Sequence, residues 1–105
     1  MLKTKKFEII DYLKNEKDFE DYLNAAIEEG DYKFIPIALA DIARARKVMT
    51  SVAKAAGVSR TTLYHSLSEK GHPAFETVAK VANSLGYRIS ITPISKKRKK
   101  QYVNG

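Results

Sequence analysis

The chain has 105 residues and a mass of 11.8 kDa, enough for one modest hydrophobic core and no second lobe. It has no cysteine and only two histidines, His65 and His72, which excludes disulfides, thiolate zinc or iron–sulfur sites, a cysteine nucleophile and a histidine-rich metal centre. The net charge of +7 is unevenly spread: residues 1–35 carry six Lys against nine acids, residues 36–90 eight Lys/Arg against three acids, and residues 91–105 five basic residues and no acid. An acidic front and a basic rear predict partners of different charge, with a polyanion the first reading for the basic part.

Residues 1–14 read as a lead-in, without an apolar run long enough for a secretory or membrane-spanning segment. A soluble, cytoplasmic protein with no membrane partner is the expectation. The first helix is predicted over residues 16–29, because Phe19, Tyr22, Leu23, Ala26 and Ile27 repeat at helical spacing. Asn15 is its expected N-cap and Gly30 its stop. A second helix is predicted over residues 35–46, with Ile35, Ala38, Leu39, Ile42 and Ala45 buried and Pro36 in the first turn, where proline is tolerated. Two short helices follow, over residues 50–56 and 60–67, separated by Gly57-Val58-Ser59. A fifth spans residues 75–85, with Phe75, Val78, Ala82 and Leu85 on its inner face and Gly86 as its stop. The period then changes to two: Tyr87, Ile89 and Ile91 alternate with Arg88, Ser90 and Thr92, predicting a short strand over residues 87–92 that ends at Pro93. The domain therefore covers residues 15–93, and residues 94–105 form a basic tail expected to be disordered.

Residues 49–67 carry the functional signal. Ala53 is small enough for two helices to approach closely, and Gly57 permits the positive φ of a tight turn. Leu63, ten residues after Ala53, is placed to return to the core with Val52, Ala56 and Val58, and Ser59 is a natural N-cap. That is the pattern of a helix-turn-helix, whose second helix enters the DNA major groove. The fold class expected is mostly α: a five-helix, repressor-like helix-turn-helix domain with one short C-terminal β-strand.

The candidate DNA contacts are Thr50, Ser59, Arg60, Thr61, Thr62, Tyr64, His65 and Lys70. Arg60 suits a bidentate contact to guanine, and threonine methyls suit thymine methyls. No acid occurs between Asp41 and Glu69, so nothing in that stretch repels phosphate. A plain helical hairpin with a solvated polar face is the competing interpretation.

The sequence resembles the phage-repressor-type, or XRE-like, DNA-binding domains, and more closely the HigA-like addiction module antidote proteins, antitoxins of type II toxin–antitoxin pairs. The similar segments include Asp11-Tyr12-Leu13, Asp21-Tyr22-Leu23-Asn24-Ala25-Ala26, Asp41-Ile42-Ala43-Arg44-Ala45-Arg46, Ala53-Lys54-Ala55-Ala56-Gly57-Val58-Ser59-Arg60 and Pro73-Ala74-Phe75-Glu76-Thr77-Val78, within residues 7–92. The resemblance implies binding and neutralisation of a RelE/HigB-like toxin, a ribosome-associated mRNA endonuclease, and repression of the chain's own operon through double-stranded operator DNA. The alternative is a stand-alone XRE-like transcriptional regulator with no toxin partner.

Other features are weaker. The run of basic residues at 96–100 reads equally as a phosphate-contacting arm or a solvated tail. His72 reads as a loop residue. The acids Asp18, Glu20, Asp21, Glu28 and Glu29 read first as a solvated helix face, with a toxin-facing surface the sharper alternative. Tyr87, Ile89 and Ile91 are the candidate interface of a homodimer, since a lone strand needs a partner. No nucleophile–base pair, phosphate loop or metal cluster is legible, so no enzyme, cofactor or metal is expected.

Overall fold

A computed structural model describes residues 8–94. The described part opens with a 3-10 helix, Ile9–Tyr12, and continues through five α-helices: α1 Glu16–Glu28, α2 Phe34–Arg46, α3 Met49–Ala56, α4 Arg60–Ser66 and α5 Phe75–Ser84.

Helix α1 starts as its sequence dictates. The Asn15 side chain accepts from the Asp18 N–H at 2.9 Å, and the Asp18 carboxylate accepts from the Lys14 N–H at 2.9 Å. Two groups at the frayed end of the helix are thereby satisfied, a cap of about 1 kcal/mol. Phe19 and Ala26 are buried, Tyr22 and Leu23 half-buried, and Ile27 exposed.

Helix α2 begins at Phe34, one residue before the predicted start, because a turn bonding Phe34 N–H to the Asp31 carbonyl leads into it. Pro36 falls within the first turn, where its missing N–H leaves no helical carbonyl unpaired. Ala38, Leu39 and Ile42 are buried as expected, but so are Ala40, Asp41 and Ala43. α2 is the central helix. It is packed by the 3-10 helix, α1, α3 and α5, so its middle is enclosed nearly all round.

Around it Leu39, Ile42, Val52, Leu63, Leu67 and Val81 are the large side chains with almost no contact with solvent. Each contributes about 1.5–3 kcal/mol by leaving water. α3 packs chiefly on α5 and also on α2, while α4 meets the body through α3. Leu13 is buried in this core and Ile9 packs against it, so the end of the lead-in segment joins the folded body.

Two expectations need correction. Phe75 does not lie on the buried face of α5; it is 71% exposed, and Val81 occupies the inner position instead. Phe75 is the first residue of α5, one turn before the buried Val78. The strand predicted over residues 87–92 is not formed among the described residues. The Tyr87 N–H turns back to the Ala82 carbonyl at 2.9 Å, closing the end of α5, and no described segment makes a ladder with the residues beyond. A strand needs a partner, and the described residues offer none. The basic run at 96–100 lies outside the described residues. No helix among the described residues is long and apolar enough to cross a membrane.

Candidate nucleic-acid interface

Local chemistry sets the α3–α4 junction. Gly57 has φ 77° and directs its N–H to the Lys54 carbonyl at 3.1 Å, while Val58 N–H reaches the Ala53 carbonyl at 3.1 Å. This double closure stops α3 abruptly and needs the left-handed conformation that glycine adopts without penalty. Ser59 then caps α4, accepting the Thr62 N–H at 3.0 Å and donating to Thr62 Oγ1 at 2.9 Å. Leu63 and Leu67 pin one side of α4 to the core. Arg60, Thr61, Tyr64 and His65 are left facing solvent.

The eight candidate contacts divide into three groups. Arg60, Tyr64 and Thr50 come together around a shallow cleft of about 300 Å³, although Thr50 belongs to α3. The Arg60 guanidinium carbon lies 5.6 Å from the centre of the Tyr64 ring, a cation–π contact that holds the arginine over α4 before any ligand arrives. Thr61 and His65 are exposed on α4, and Ser59 and Thr62 are exposed but engaged in the cap. Because Ser59 gives its proton to Thr62 Oγ1, the Thr62 hydroxyl keeps its own proton for an outside acceptor. Lys70 is exposed in the loop after α4 and does not line the cleft.

Two cations that the sequence analysis did not assign join the cleft: Arg44 and Lys47, both from the end of α2. Arg44 was visible in the Ala-Arg-Ala-Arg run but carried no assigned role. Lys47 carried no local signal. It closes α2 in the left-handed conformation at φ 62°, which is uncommon for a residue with a side chain. The cleft also abuts the first turn of α3, whose N–H groups no helical carbonyl can reach. Arg60 and Lys47 together in the lining of one concave spot, beside an Arg44 shared with Asp41 and Glu8, make it hospitable to an anion such as a phosphate.

Behind the cleft, polar pairing fixes Arg44. Asp41 accepts from the Tyr22 hydroxyl at 2.5 Å and from Arg44 Nη1 at 3.0 Å, and Arg44 Nη2 also donates to Glu8 at 3.2 Å. Burial raises the Asp41 carboxyl above the usual carboxylate range, against the opposing pull of Tyr22 and Arg44. Burial and then the neighbouring Asp41 raise the Tyr22 hydroxyl above its ordinary value. Arg46, between the cleft residues Arg44 and Lys47 in sequence, serves the interior. It donates to the Leu85 carbonyl and the Tyr87 hydroxyl, pairs with Glu16, and lies between the Phe19 and Tyr87 rings at 5.0 and 5.5 Å. Tyr87 is thus spent within its own chain, whereas Ile89 and Ile91 are 42% and 97% exposed. Among the described residues no group of three His, Asp or Glu side chains is placed to hold a metal ion.

Residues 3–93 match the family described as "probable addiction module antidote protein". The chain belongs to that family. It is also 40% identical over 87 residues to an uncharacterized protein of Haemophilus influenzae, an alignment covering 83% of this chain and 89% of that one. No solved structure matches it. Membership gives the chain the role of an antidote in an addiction module, and with it a cognate toxin.

Proposed function

We propose that this antidote neutralises a RelE/HigB-like mRNA endonuclease and represses its own operon, binding operator DNA as a homodimer through an XRE-like helix-turn-helix made of α3 and α4. α4 enters the major groove with Arg60, Thr61, Tyr64 and His65 toward base edges, while Lys47, Arg44, Thr50 and the first turn of α3 take phosphates. The observation that carries this reading is the cleft, with no acid in its lining, in which Arg60 and Lys47 meet beside a firmly capped α4, with Arg44 held there by Asp41 and Glu8. Phosphate contacts position the protein and base contacts specify the sequence, and the cleft supplies one kind beside the other.

Dimerisation follows from the alternating apolar residues beyond α5. Ile89 and Ile91 are exposed and the backbone of residues 88–94 pairs with no other described segment, so antiparallel pairing with a second copy satisfies both. The two-fold axis then sets two α4 helices roughly 34 Å apart, matching a palindromic site. A stand-alone regulator fits the cleft equally well but not the family.

The deciding experiment titrates the purified chain with a duplex from its own promoter and with an unrelated duplex of equal length, at low and physiological salt. Tighter binding to the promoter duplex, with affinity falling steeply as salt rises, is expected. Equal affinity for both duplexes at every salt concentration would remove the repressor reading.

A further inference from the structure

An open groove of about 900 Å³ has the exposed Phe75 in its lining, and Ile89 and Ser90 as well, so it adjoins the dimer contact proposed above. The basic cleft is a separate feature and shares no lining residue with it. Ile10 of the 3-10 helix lines the cleft beside Arg44, Lys47 and Arg60. Ile9 packs against the core and Leu13 is buried in it, so the lead-in segment is seated on the body on both sides of Ile10. The Glu8 carbonyl accepts the Asp11 N–H at 3.1 Å, which fixes the turn. Glu8 is thereby set against α2, and its carboxylate accepts from Arg44 Nη2 at 3.2 Å.

The two carboxylates on Arg44 are not equivalent. Asp41 is buried and also holds the Tyr22 hydroxyl, so it is fixed in the fold. The Glu8 side chain is 57% exposed, and an ion pair so exposed is weakly held and free to open into solvent. Among the described residues no carboxylate pairs with Lys47 or Arg60.

Formal charge shows what Glu8 does to the cleft. Arg44, Lys47 and Arg60 bring three positive charges, and Asp41 and Glu8 cancel two of them, both through Arg44. With both carboxylates in place, Arg44 has no net attraction left for an anion. When Glu8 turns away, a donor on Nη2 is free again and the net positive charge of the cluster doubles. A phosphate oxygen and a carboxylate oxygen are the same kind of acceptor for a guanidinium, so the two compete.

We propose that Glu8 is a built-in competitor for DNA phosphate: its carboxylate occupies Arg44 in the free protein, and a backbone phosphate takes its place on Nη2 when the duplex docks. The proposal rests on the DNA-binding reading and adds the lead-in segment to that interface. Phosphate contacts carry no sequence information, so Glu8 lowers affinity for every duplex by the same factor.

Binding of the promoter duplex and of an unrelated duplex of equal length is measured for the full-length wild type, Glu8→Gln, Arg44→Gln and the double variant. Circular dichroism on each sample follows helix content, and the amide of Arg44→Gln is still able to donate to Asp41. Glu16→Gln is the charge control, because it removes the same charge from the ion pair of Arg46, away from the cleft. Glu8→Gln should bind both duplexes about two- to five-fold more tightly, the range of an exposed ion pair. Arg44→Gln should bind both more weakly, with a log–log salt slope shallower by about 0.9, one phosphate contact. In the double variant the Glu8 substitution should add nothing, because it acts through Arg44.

A gain that persists in the Arg44→Gln background, or that Glu16→Gln reproduces, is general electrostatics and overturns the proposal. Unchanged or weaker binding by Glu8→Gln overturns it as well, weaker binding meaning that Glu8 holds Arg44 in place for the phosphate. If Arg44→Gln loses helix content, the comparison of Glu8→Gln with Glu16→Gln decides alone. Failure of the wild type to bind either duplex defeats the DNA-binding reading, and the proposal with it.

Discussion

Arg46 donates from Nη1 to the carbonyl oxygen of Leu85 across 2.6 Å, fastening the end of α2 to the end of α5. The same guanidinium reaches Tyr87 and Glu16 and stacks on two rings, so one planar cation joins α1, α2 and the segment after α5. Arg46→Ala should cost about 2–4 kcal/mol, the loss of charge-assisted hydrogen bonds and packing together. Arg46→Lys should recover only part of that, because an ammonium cannot bridge and stack simultaneously. Urea denaturation of both variants reads the difference, and equal stability of Lys and wild type would mean that charge alone matters.

Arg60 is the base reader in the proposed docking on DNA. Arg60→Ala should weaken promoter binding by about 1–3 kcal/mol and relax preference at one base position, while helix content is unchanged. Tyr64→Ala should produce a smaller loss by freeing Arg60 from its ring. Binding to a set of single-base operator variants distinguishes the two effects: if Arg60→Ala shows the wild-type preference at every position, Arg60 does not read a base.

Gly71 is buried where the loop after α4 crosses back over that helix. A Cβ there would run into the carbonyl oxygens of His65 and Ser66, which are backbone and cannot swing aside. Gly71→Ala should therefore cost about 1–3 kcal/mol through overpacking, and it should disturb α4 before the rest of the molecule. A shifted denaturation midpoint with disproportionately weaker promoter binding is the expected pair of results. Wild-type behaviour in both would show that the loop can relax away.

Asp41 makes stability pH-dependent. Its carboxyl is raised in the folded state, so the native protein holds that proton more tightly than the unfolded chain does. Its contribution therefore favours folding at low pH and declines as pH rises from the unfolded carboxylate value of about 4 through the raised folded value. Asp41→Asn keeps an oxygen for Tyr22 but cannot titrate, so wild type should gain on the variant as pH falls through that window. Parallel stability–pH curves for the two proteins would show that Asp41 has its ordinary affinity for the proton.

Ile89 tests the proposed dimer. Ile89→Pro removes a possible ladder donor and disrupts the alternating apolar face, while lying outside every helix. The variant should sediment as a monomer and bind a full palindromic site much more weakly, with its helical signal intact. If it remains dimeric, the interface lies on other elements.

The existence and order of the five helices were legible because their signals are local. Asn15 before an amphipathic run, Gly57 four residues after Ala53, and Ser59 before Arg60 are each read within one or two turns of chain. The exposed positions of α4 followed from the burial of Leu63 by helical geometry alone. The tertiary structure decided what depends on several elements meeting. It enclosed α2 on nearly every side, so Asp41 is buried although its residue type predicts exposure. It divided Arg44 and Arg46, two residues apart, between the cleft and the interior, since neighbouring positions on a helix face different partners. It brought Lys47 beside Arg60 across the chain, exposed Phe75 at a groove instead of burying it, and left the segment after α5 without a partner strand among the described residues. A cap or a turn is governed by neighbours in sequence, whereas burial, clefts and strand pairing are governed by residues that only folding makes neighbours.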